Sequence, residues 1–132
     1  MTPTTLERTL RVDAVANALA GVALVAAGGW LAAPVGLTAG WPIRLAGLAL
    51  AVYAVENLMV ARRPSAGGPV GLIAVDVAFA AAVLAVAIAN PSGAETWVRW
   101  LLVAAADLSL AFGIAKLHGL RSRRDRDAHA NA

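Results

Sequence analysis

PVGLIAVDVAFAAAVLAVAIAN, the run from Pro69 to Asn90, holds one charged residue, Asp76, in 22 positions. At ~1.5 Å of rise per residue, a helix of that length covers ~33 Å, about the hydrocarbon thickness of a bilayer. Three further runs of the same kind lie on either side. One extends from Val12 to Ala33 and meets Pro34, and one from Trp41 to Ala61 meets Arg62, Arg63 and Pro64. The last extends from Glu95 to Leu117. The breaks at Pro34 to Gly40, Pro64 to Gly68 and Pro91 to Gly93 are short and rich in turn formers. Short connections force neighbouring helices to run antiparallel. The expected fold is therefore all-α, an integral membrane up-down-up-down four-helix bundle over 12–117. Residues 1–11 precede it, and a basic, polar and disordered tail over 118–132 follows it.

Composition agrees. Hydrophobic residues make up 60% of the 132 and charged residues 14%, against about 25% charged in soluble domains. Mean hydropathy is +0.71. The apolar residues are mostly alanine, valine and leucine, and small side chains let helix backbones approach closely in lipid. The chain has no cysteine, which excludes disulfides, thiolate nucleophiles and thiolate metal sites. A net charge of +3 invites a nucleic-acid reading. The basic residues, however, sit at span ends and in the tail without interleaved aromatics, so no nucleic acid is expected as a partner. Arg8 and Arg11 precede the first run as they would in a signal peptide. That run is longer than a signal core and carries Asp13 and Asn17 near its start, so a retained span is expected.

Basic residues also orient the chain. Arg8, Arg11, Arg62, Arg63, Lys116, Arg121, Arg123, Arg124 and Arg126 fall on one side, nine of the eleven. The positive-inside rule makes that side cytoplasmic and puts both termini there, in a multi-pass protein of the inner membrane. Arg44 and Arg99 lie just inside the other end and are expected to snorkel to outer headgroups, with Glu95 as a local alternative for Arg99. Trp30, Trp41, Trp97 and Trp100 fall at the same outer ends, as an interfacial aromatic belt requires. His118 reads as a cation at the C-terminal end of the last helix.

The two halves echo each other faintly. Asp13 and Asp76 stand in the strings Val-Asp-Ala-Val-Ala and Val-Asp-Val-Ala-Phe, and Trp41 with Arg44 matches Trp97 with Arg99. Two helical hairpins repeated about an axis along the membrane normal would produce this; low-complexity sequence produces such echoes too. The strings Arg11-Val-Asp-Ala-Val-Ala-Asn17 and Arg44-Leu-Ala-Gly-Leu-Ala-Leu50, with Tyr53-Ala and Ala61-Arg-Arg-Pro64, resemble an uncharacterised group of small four-span bacterial membrane proteins. The resemblance implies the architecture and a bacterial cytoplasmic membrane; it implies no activity.

Polar residues inside the spans carry the functional signal. A charge near the bilayer centre costs at least about 2.5–3.5 kcal/mol, so each one kept there requires a partner, a cavity or a function. Asp13 and Asn17 are four apart and share a helix face, while Tyr53, Glu56 and Asn57 stand at i, i+3 and i+4. Counted from the inner span ends, Asn17 and Glu56 lie ~8 Å deep, Asp76 ~10 Å and Asp107 ~15 Å. The polar groups thus stop near the middle, and the outer half reads as an apolar plug. Glu56, Asp76 and Asp107 are the candidate catalytic acids and bases, with Asp13, Asn17, Tyr53 and Asn57 as candidate ligand-binding groups.

Convergence of Glu56 and Asp76 is the central expectation. Two carboxylates in a poorly hydrated site share protons and so supply an acid and a base together. The expected function is a cytoplasm-facing pocket that binds a small lipophilic molecule, with isomerisation, epoxide opening or cyclisation as the available chemistry. One alternative is an accessory subunit of a membrane complex, or a homodimer, with the acids as interhelical glue. There Asp76 would pair with Asn17 and Glu56 with Asn57. Proton-coupled transport is a third reading. No metal site, phosphate loop or cofactor motif is present in the sequence.

Overall fold

The computed structural model describes residues 4–63 and 67–130, so most of the Pro64 to Gly68 connection lies outside the described residues. Among these residues the chain forms four helices and no strand: α1 (Thr5–Val35), α2 (Trp41–Arg62), α3 (Gly68–Ala89) and α4 (Thr96–Ala130). Each is long and apolar enough to cross a membrane. They run up, down, up and down as a four-helix bundle with both described ends on one side.

Helices α1 and α4 are longer than the apolar runs. A capping box starts α1 at Thr5 rather than Val12: Thr4 Oγ accepts the Glu7 amide at 3.2 Å, and Glu7 Oε2 accepts the Thr4 amide at 3.1 Å. The added turns carry Leu6 and Leu10, both buried. They pack against α4, where a Cβ on Gly119 would come within 3.0 Å of Leu6 Cα. The tail expected to be disordered instead continues α4 to Ala130. No glycine or proline follows Gly119 to stop it, and arginine, leucine and alanine favour the helix. His118 is therefore mid-helix rather than a terminal cation; His129 occupies the last turn.

At the other end Pro34 does not stop α1, which closes at Val35. A proline in the last turn removes one hydrogen bond and crowds the Trp30 carbonyl, but no further turn has to be carried past it. Gly36 (φ 80°) ends the helix in the left-handed region, and Leu37 N–H donates to the Ala32 carbonyl at 2.8 Å. Two carbonyls left over at that end are taken by the α3–α4 connection. Ser92 Oγ donates to Val35 O at 2.6 Å, and Glu95 N–H donates to Pro34 O at 2.8 Å.

Packing is uneven. Helix α1 lies tightly on α2, and α3 on α4, whereas α1 and α4 meet over a shorter length and α2 and α3 barely touch. Glycines set the first contact. A Cβ on Gly21 would fall 2.6 Å from the Gly47 carbonyl oxygen, and the converse contact is equally close. The molecule is thus two helical hairpins joined along α1 and α4, with a gap between α2 and α3.

Arg99 does not pair with Glu95. Its Nε donates to the Ala87 carbonyl at 2.8 Å, satisfying an orphan acceptor in the last turn of α3, while Glu95 accepts from Trp97 Nε1 at 2.6 Å. Arg44 is exposed, and so are all four tryptophans, at the end away from the termini.

Candidate functional site

Lys116 is the one lysine in a chain whose ten other basic residues are arginine. On α4 it shares a face with buried Gly113, Gly119 and Leu120, one turn away on either side, whereas Ile114 and Leu117 are exposed, so the ammonium enters the bundle. It is fully buried, and three acceptors surround it. Nζ lies 2.5 Å from Asp13 Oδ2 on α1, 2.7 Å from Asp76 Oδ2 on α3 and 3.1 Å from Tyr53 Oη on α2. An ammonium has three protons, and each has a destination.

Each carboxylate oxygen is also engaged. Asn17, one turn along α1, donates Nδ2 to Asp13 Oδ1 at 2.7 Å, and Tyr53 Oη donates to Asp76 Oδ1 at 2.6 Å. All four carboxylate oxygens thus receive a donor. Gly113, one turn before Lys116, clears the approach, since a Cβ there would meet the Asp76 Cβ at 3.3 Å. Asn57, one turn beyond Tyr53, donates Nδ2 to the Tyr53 carbonyl at 3.0 Å; its Oδ1 is buried with no hydrogen-bond donor among the described residues.

This cluster is the joint between the hairpins. Lys116 to Asp13, Lys116 to Tyr53 and Tyr53 to Asp76 each cross from one hairpin to the other. A hydrophobic layer of Leu6, Leu10, Ala61, Leu72 and Leu120 lies next to it on the side of the termini. The cluster therefore does not open toward that end, contrary to the expectation of a pocket facing it. With Asp13 and Asp76 at 1% and 2% exposure, neither carboxylate presents an atom to a substrate.

Of the seven residues singled out in the sequence, the structure brings together Asp13, Asn17, Tyr53 and Asp76, with Asn57 alongside. It separates Glu56 and Asp107 from them; both are exposed and, among the described residues, neither has a hydrogen-bond or ion-pair partner. Asp107 is nine residues from Lys116, two and a half helical turns, so it points the opposite way and cannot floor the site. Glu56 is one position from buried Asn57, about 100° around α2, and faces outward. The expected Glu56–Asp76 pair is not formed. The structural pairs Asp76–Asn17 and Glu56–Asn57 are absent as well, since Asn17 bonds Asp13 and Asn57 bonds Tyr53 O.

By position alone Lys116 reads as membrane-flanking charge, because four arginines follow it on the same side. The usable signal was its identity. A lone lysine between apolar neighbours, three residues after Gly113, differs from the arginine-rich tail beyond it.

Glu56 instead borders a groove of about 390 Å³ in the gap between α2 and α3. Met59 and Val60 line it from α2, and Leu72 and Val75 from α3, with Gly67, Gly68 and Gly71 leaving room. Leu72 is shared with the cluster: its side chain belongs to the sealing layer and its carbonyl lies 3.1 Å from Tyr53 Oη. Among the described residues no three His, Asp or Glu side chains converge as metal ligands. Comparison with known proteins returned no matching family model, no similar curated protein and no similar solved structure.

Proposed function

We propose that the chain is a small-molecule-binding protein of the bacterial cytoplasmic membrane, its termini in the cytoplasm, that takes a lipophilic ligand from the inner leaflet into the α2–α3 groove. The observation that carries this reading is the gap itself. Helices α2 and α3 are adjacent in sequence yet separate enough to leave a mostly apolar recess, of a size within the ~300–1,000 Å³ common for ligand sites. The saturated ion cluster supports binding over catalysis. Its acids are buried and present no atom to a ligand in the groove, and its role here is to hold the hairpins at a fixed spacing beside the groove.

Gly71 provides the test. A Cβ at this position meets nothing within 4 Å, and Gly71 lines the groove, so Gly71→Leu directs its added bulk into the recess. Purified protein in nanodiscs should bind a neutral lipophilic probe, tetraphenylsilane, and Gly71→Leu should abolish that binding while unfolding no earlier than the wild type. Equal binding by both proteins would rule the groove out.

Orientation is checked separately. With cysteine placed singly at Thr38 and at Ala128, a membrane-impermeant thiol reagent applied to intact cells should label Thr38→Cys only. Labelling of Ala128→Cys alone would invert the topology.

A second reading, as an accessory subunit or homodimer, is favoured by Asp107. It is exposed on α4, lacks a partner among the described residues and stands eleven residues from the start of the helix. A charge at that depth, ~16 Å, would be covered by a neighbouring helix in a complex. Disulfide trapping at Leu108→Cys would detect a second copy at that face.

A further inference from the structure

We propose that the groove between α2 and α3 selects lipophilic cations, with Glu56 as the group that recognises the charge; this rests on the binding reading above. Among the described residues the Glu56 carboxylate makes no hydrogen bond and no ion pair. It lies six residues inside the end of α2 at Arg62, a rise of ~9 Å, which places it within the hydrocarbon. Six residues also turn the helix by about 600°, so Arg62 points to another face; Arg63, the C-cap residue, lies nearer in angle but forms no ion pair with Glu56 among the described residues.

No other cation is available within the recess. Its remaining lining is Met59, Val60, Leu72, Val75 and glycine, none of which donates a side-chain proton. Lys116, the nearest buried cation in the bundle, has its three protons committed to Asp13, Asp76 and Tyr53. An occupant that brings its own positive charge supplies what Glu56 lacks, and its apolar body replaces lipid against Met59, Leu72 and Val75. Methionine adapts its shape readily, which suits ligands that share charge and size rather than detailed outline. A neutral ligand would leave the carboxylate uncompensated. An anionic one would add a second negative charge beside it.

The experiment uses three probes of closely similar shape and different charge: tetraphenylphosphonium, tetraphenylsilane and tetraphenylborate. Their binding to the full-length protein in nanodiscs is measured against empty nanodiscs, for the wild type and for Glu56→Gln, Gly71→Leu and Asp107→Asn. The expected result is that wild type and Asp107→Asn bind the phosphonium best. Glu56→Gln should lose about tenfold or more of phosphonium affinity while its tetraphenylsilane affinity is unchanged, and Gly71→Leu should bind none of the three. Equal binding of phosphonium and silane, unaffected by Glu56→Gln but removed by Gly71→Leu, would overturn cation selection and leave the groove as the site. Loss of phosphonium binding in Asp107→Asn rather than Glu56→Gln would overturn the location of the charge recognition. Probe binding that Gly71→Leu does not alter would overturn both the groove and its selectivity. Glu56 is exposed, so its isosteric replacement does not threaten the fold, and thermal unfolding of each variant verifies this.

Discussion

Lys116→Met should lower the stability of the folded bundle by about 3–5 kcal/mol, the cost of breaking a buried ion pair from one side. The ammonium holds Asp13 and Asp76 together. Without it two carboxylates face each other in a space with almost no water, and only Asn17 and Tyr53 remain as donors. Lys116→Arg should recover only part of the loss, because a planar guanidinium cannot direct its protons at three acceptors arranged around a point. The combined variant Asp13→Asn, Asp76→Asn, Lys116→Met should regain much of the stability, since it removes the charges together rather than stranding two of them. Reversible unfolding in mixed micelles by titration with sodium dodecyl sulfate, followed by circular dichroism, measures all three. A Lys116→Met protein as stable as the wild type would show that the cluster does not hold the hairpins together.

Two glycine substitutions should behave in opposite ways. Gly47→Leu should destabilise the α1–α2 hairpin by about 1–3 kcal/mol or more, the range for overpacking. Its first added carbon alone would stand 2.6 Å from the Gly21 carbonyl oxygen, 2.9 Å from Val25 Cγ2 and 3.0 Å from Leu24 Cβ. Backbone oxygen cannot rotate aside, so the helices must part along their closest contact, which close packing of small residues sustains in lipid. Gly71→Leu puts its first added carbon where nothing stands within 4 Å and removes a helix-weakening glycine, so it should not lower the unfolding midpoint. The same detergent titration compares the two, and a Gly47→Leu midpoint equal to that of Gly71→Leu would refute the account of the hairpin.

Four spans, their antiparallel order and the tryptophans at one end were legible from the residues alone. Lipid imposes a fixed thickness and requires the backbone to satisfy its own hydrogen bonds, so apolar length translates directly into helices. The spacing of Asp13 with Asn17, and of Tyr53 with Asn57, also revealed shared faces, because four residues return nearly to the same side of a helix. Periodicity of that kind is internal to one helix. It does not say how far each helix is rotated against its neighbours, and that rotation decided the rest. It turned Lys116 inward to meet Asp13 and Asp76, and left Glu56, one position from buried Asn57, facing the α2–α3 gap. It also sent Asp107, two and a half turns from Lys116, to the outer surface. Charge content and span length follow from the order of residues in the chain. Which charges meet depends on backbone approaches at glycines such as Gly113, Gly119, Gly21 and Gly47, and those exist only once the helices have packed.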